Sequence, residues 1–199
     1  MNTWTRATLA AVMLLALVPT AASALRSIEV SETRLSFLWQ SLEFSSPEIE
    51  GQVFCRAQMT FSFFSRSIGK SLGASMGTAS ASVLSPETCS NGTVRFLEEG
   101  TWLVSYEGIR GTLPSITAVR ADVPVGFLIT AGGGLVRCLY QGTFHVEILV
   151  NSGRVGDAIV NPSRPPLLAR LAGSFFCPAF ANVEGLSAAG TPASTVRLI

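Results

Sequence analysis

Ser75 is the first residue of this chain whose type and setting could do chemistry. Gly73-Ala74-Ser75-Met76-Gly77 fits G-x-S-x-G, the sharp turn that lifts a serine hydroxyl toward a histidine base. The chain order Ser75, Asp122, His145 would supply nucleophile, acid and base. An elbow of this kind needs a strand before it and a helix after it, whereas residues 79–84 alternate as a strand. A small-residue loop between strands is therefore expected at Ser75, and a small serine hydrolase using Ser75 and His145 stands as an alternative.

His145 is the only histidine, which excludes centres built from several imidazoles. It alternates with Phe144 and Val146, so it shares a strand face with Thr143, Glu147 and Leu149 and is expected to meet solvent beside Glu147. Gly69-Lys70-Ser71 has the tail of a phosphate loop, but Phe64 stands where that loop needs glycine. Glu98 and Glu99 are neighbours, and neighbours in a strand face opposite ways. Asp122 and Asp157 with 11 glutamates nominate no facing carboxylate pair. No D-x-D-x-D calcium pattern occurs. The expectation is no catalytic residue, no metal ligand and no cofactor.

Four cysteines, Cys55, Cys89, Cys138 and Cys177, form no C-x-x-C pair, so zinc is a poor reading and disulfides a good one. Of the three possible pairings, Cys55–Cys89 with Cys138–Cys177 is favoured, because each bridge then joins segments of the same half of the chain. An oxidising destination fits the N-terminus. Arg6, the apolar run from Leu9 to Val18 and Ala22-Ser23-Ala24 read as a secretory signal peptide over 1–24, too short in its apolar part to span a bilayer. Cleavage leaves a single domain at 25–199 with 13 basic and 13 acidic side chains and no further membrane span. A secreted, extracellular protein is expected. The whole chain carries a net charge of +1, which offers no basic field for nucleic acid.

The elements that must position these residues read as strands. From 53 to 63 the odd positions Val53, Cys55, Ala57, Met59, Phe61 and Phe63 form one apolar face, with Phe54 the exception. Phe144, Val146, Ile148 and Val150 repeat the pattern, and Gly132-Gly133-Gly134 supplies a turn before them. Further strands are expected at 27–32, 34–39, 79–84, 93–97, 102–109, 116–129, 135–141, 143–150, 172–176 and 194–198, the pair around Gly142 being broken there. Asn91-Gly92 reads as a hairpin turn before it reads as a glycosylation acceptor, and 153–166 as a long surface loop. The best helical stretch, 66–76, contains Gly69 and Gly73. The fold class expected is all-β, an antiparallel β-sandwich or flattened barrel with at most one short helix. Most of the 12 phenylalanines belong in its core; Trp39, Trp102, Tyr106 and Tyr140 have polar atoms that could reach a surface.

The order Cys55, Lys70-Ser71-Leu72-Gly73, Cys89, Trp102-Leu103-Val104-Ser105-Tyr106, Gly111-Thr112-Leu113-Pro114, Cys138-Leu139-Tyr140, Cys177-Pro178 and Leu198-Ile199 resembles small secreted actinobacterial two-disulfide β-rich proteins of unknown function. That resemblance implies a two-disulfide β-fold outside the cell and no particular activity. The expected function is a non-catalytic extracellular binding or interaction module with a protein or a small apolar ligand as partner. A carrier of an apolar ligand is a further alternative if the sheet closes into a wide enough barrel.

Overall fold

A computed structural model describes residues 27–48, 51–84, 89–97, 102–112, 114–161 and 168–199. Residues 1–24, expected as a signal peptide, and Ser85-Pro86, Glu98-Glu99 and Pro165-Pro166 lie outside the described residues. Among the described residues thirteen strands follow one another: β1 (Ser27–Val30), β2 (Arg34–Ser45), β3 (Gln52–Phe63), β4 (Ser67–Gly69), β5 (Ser75–Val83), β6 (Gly92–Phe96), β7 (Trp102–Thr112), β8 (Ser115–Ala131), β9 (Val136–Asn151), β10 (Arg154–Val160), β11 (Leu168–Gly173), β12 (Phe180–Leu186) and β13 (Val196–Leu198). The described residues contain no α-helix, only a 3-10 turn at Gly132–Gly134. The fold is all-β and antiparallel, as the alternation predicts.

The main sheet closes on itself. Pairing runs β9-β11-β12-β2-β3-β5-β7-β8 and returns to β9 through a ladder from Ala118↔Leu149 to Ala131↔Val136. These eight positions form an up-and-down barrel, its ladder interrupted along β6, which among the described residues forms a ladder only with β8. Two of the positions are each shared by two short strands. β7 pairs with β8 up to Asp122 and β6 resumes at Phe127, while β10 and β11 divide the interval between β9 and β12. Pro124, which has no N–H to donate, falls in the first of these intervals. At one end of the barrel lie residues 46–48 after β2, the Gly132–Gly134 turn and the 174–179 loop. The other end carries a small sheet, β13-β1-β4, whose Ile28, Ile68 and Val196 join the main core.

An eight-stranded barrel is just wide enough for its own side chains to fill. Phe37, Phe61, Phe127 and Phe144 are fully buried inside, with Trp39, Phe44 and Tyr140 nearly so. Phe127 meets Phe44 edge to face at 5.1 Å and lies 5.7 Å from Tyr140 and 6.4 Å from Phe144.

Several local expectations are corrected. Residues 66–76 form no helix: β4 pairs with β1 there and Ser75 already opens β5. The supposed surface loop after Gly153 contains β10, held on β9 through a bulge between Val155 and Ala158. β9 runs unbroken through Gly142, where a Cβ would lie 2.4 Å from Leu168 Cδ2. That glycine marks a close approach of β11, not a break. The strand expected at 172–176 is β11 shifted toward the N-terminus, and β12 was not anticipated.

Candidate functional site

One register line crosses four barrel positions, Ser75↔Ser105↔Asp122↔His145. It brings His145 to Asp122, Nδ1 lying 2.6 Å from Oδ1. It keeps Ser75 away, because neighbouring strands are spaced about 4.8 Å and three intervals separate Ser75 from His145 by roughly 14 Å. Ser75 therefore has no histidine base within hydrogen-bond reach, and the elbow geometry of the hydrolase alternative is not formed.

Glu107 completes the group around His145. A bulge between Tyr106 and Gly108 inserts Glu107 as an extra residue in β7, and bulges of this kind re-aim a side chain. Glu107 Oε2 comes within 3.8 Å of His145 Nδ1, and Oε1 lies 3.9 Å from Arg120 Nη1. Gly108, at φ +156°, leaves room for the Arg120 guanidinium, whose Nη2 lies 3.0 Å from where a Cβ would stand. The side chains of His145, Glu107 and Asp122 are about one-third exposed on the outer wall. Glu147 shares that face but is only 3% exposed, accepting from Arg110 Nη1 at 3.1 Å.

Asn161 fixes the backbone of His145. Its Oδ1 accepts the His145 N–H at 2.9 Å, its own N–H donates to the His145 carbonyl at 2.7 Å, and its Nδ2 donates to the Val183 carbonyl. This asparagine spans the interval where β10 stops and β11 has not begun. Sequence reasoning had Asp122 and His145 in hand but missed Glu107 and Asn161; neither a bulge nor an interval between two strands leaves a pattern in the apolar alternation.

The open end of the barrel is a second feature. Phe44, Val53, Ile129, Val136, Tyr140 and Ala181 line a cavity of about 280 Å³, with Ser45, Gln52 and Asn91 among its polar lining. A second depression, of about 590 Å³, adjoins it and shares Asn91 and Ala131. Both disulfides serve this end: Cys55–Cys89 ties β3 to the segment before β6, and Cys138–Cys177 ties β9 to the 174–179 loop. The pairing is the one expected, and two bridges fit an oxidising compartment. Glu48 Oε2 accepts the Ala179 N–H at 2.7 Å, linking two mouth loops. Phe175 and Phe176 project from the bridged loop, 95% and 73% exposed.

The aromatic polar atoms turn inward. Trp39 Nε1 donates to the Gly185 carbonyl and Tyr140 Oη to the Pro178 carbonyl, each at 3.2 Å. Burial pushes the phenols of Tyr106 and Tyr140 above their ordinary 10.0, partly opposed by Arg120 and Arg170 respectively. A raised folded-state value means that stability is full below the unfolded phenol range and falls as pH rises beyond it. These are the only two tyrosines. The native protein should thus show little tyrosinate absorbance at pH 10, the signal rising together with alkaline unfolding. Two phenols ionising at pH 10 while the fold persists would contradict the burial argument.

No family model, curated protein or solved structure matches the chain.

Proposed function

We propose that the protein is a secreted, non-catalytic binding module that holds a small, mostly apolar ligand with one polar end at the open end of its barrel. The observation that carries this reading is the cavity of about 280 Å³ lined by Phe44, Val136 and Tyr140 together with the polar Ser45, Gln52 and Asn91. Ligand sites combine an apolar lining with a few placed polar groups, and this volume, near the lower end of their range, suits a small molecule. Two disulfides that hold the surrounding segments reduce the ordering that a ligand must impose. The inner face of the wall is apolar, unlike the polar interior of a lipid-spanning barrel. The apolar leader over 1–24 and the two bridges support export.

Titration with the fluorescent probe anilinonaphthalene sulfonate tests the site. The wild type should enhance its emission, Val136→Trp should sharply weaken the effect by obstructing the cavity without unfolding the protein, and Phe175→Ser should leave it intact. No enhancement in the wild type, or an enhancement that survives Val136→Trp and vanishes in Phe175→Ser, refutes the cavity as the binding site.

A further inference from the structure

We propose that Glu107, Asp122 and His145 form a binding site for a first-row divalent cation, Zn²⁺ foremost, on the outer wall of the barrel. One ligand atom from each of the three lies within 4.8 Å of the others. They come from three different elements of the wall, β8, β9 and the bulge of β7, so the ion would tie these three strands together.

The distances suit the ion. Tetrahedral zinc with bonds of ~2.0 Å sets its ligand atoms roughly 3.3 Å apart. The two separations from His145 Nδ1, 2.6 Å to Asp122 and 3.8 Å to Glu107, fall on either side of that value. Side-chain movements on the order of 1 Å bring the three ligand atoms to tetrahedral spacing, with the cation in place of the direct His145–Asp122 hydrogen bond. The backbone of His145 is already fixed by Asn161, which holds one ligand in place before any ion arrives.

The donor set also selects. An imidazole with two carboxylates is a borderline set that suits zinc. Calcium takes six to eight oxygens and is poorly served by one imidazole and two carboxylates. Two carboxylates face one guanidinium here, so the cluster retains negative charge, and Arg120 approaches the oxygen of Glu107 that points away from His145. The three side chains keep about one-third of their surface exposed, which leaves an entry path and room for water in the remaining coordination position.

The single histidine makes the test unambiguous. Zn²⁺ is titrated into the untagged, oxidised protein and followed by calorimetry and by ¹⁵N NMR of the His145 ring. One ion per chain should bind, shifting the Nδ1 resonance rather than Nε2, while Ca²⁺ at the same concentration leaves both unmoved. Asp122→Asn and Glu107→Gln, which keep the side-chain volumes, should each weaken binding by about tenfold or more with unchanged circular dichroism. Absence of binding, a shift confined to Nε2, or an affinity untouched by both variants overturns the site.

Discussion

Replacing Phe127 by alanine should cost about 3–5 kcal/mol, a large share of the roughly 5–15 kcal/mol by which a domain is stable. Phe127 has no exposed surface and stands among the rings of Phe44, Phe96, Tyr140 and Phe144. A closed wall cannot collapse inward far enough to refill the space, so the cavity remains after the ring is gone. Urea unfolding should show a lower midpoint with an unchanged slope. Phe175, 95% exposed, is the control, and its replacement by alanine should change stability by no more than about 0.5 kcal/mol. Equal effects at the two positions would mean that the barrel interior is not packed as described.

The second large effect is expected at the Cys138–Cys177 bridge. The double substitution Cys138→Ser, Cys177→Ser removes a closure spanning a sequence separation of 39 residues and should cost about 2–5 kcal/mol. For a domain of this size that lowers the melting temperature by roughly 10 °C. Gly173 shows how tightly the bridge is seated, since a Cβ there would lie 2.6 Å from both Cys177 Sγ and the Arg137 carbonyl oxygen. Calorimetry measures the global loss. Hydrogen exchange of the Ser174 and Cys177 amides, which donate to Arg137 and Ser174, should show the 174–179 loop loosening most. A melting temperature that does not fall would show that the loop is held by its other contacts alone.

Much of this barrel is legible in the chain because burial in a strand has a period of two. The odd positions from Val53 to Phe63 all face inward, and Phe54 is the exception in the structure as in the pattern. Cysteine pairing within each half is legible because up-and-down topology keeps sequence neighbours adjacent in space. What the pattern does not carry is closure. The β2–β12 ladder joins Phe44 to Val183, and nothing local to either strand specifies the other. β10 escapes notice because Gly156 and Asp157 break its apolar rhythm while a bulge in the pairing accommodates the break. The cluster at His145 was half legible: Asp122 and His145 carry recognisable chemistry, but placing them together needs the register of β8 on β9, and placing Glu107 needs an insertion of one residue in β7.

The pairing of β1 with β13 bears on how the molecule can be tethered. Ser27 and Ile199 exchange backbone hydrogen bonds of 3.1 Å, so both ends of the described chain leave the barrel side by side, at the end opposite the mouth. A surface, a fused domain or a second copy joined at either end would stand behind the barrel and leave the cavity facing outward. A short linker from residue 199 to residue 27 would close the backbone into a ring with little distortion. Pulling on the two ends would peel β1 from β13 one hydrogen bond at a time, before the load reached the closed wall.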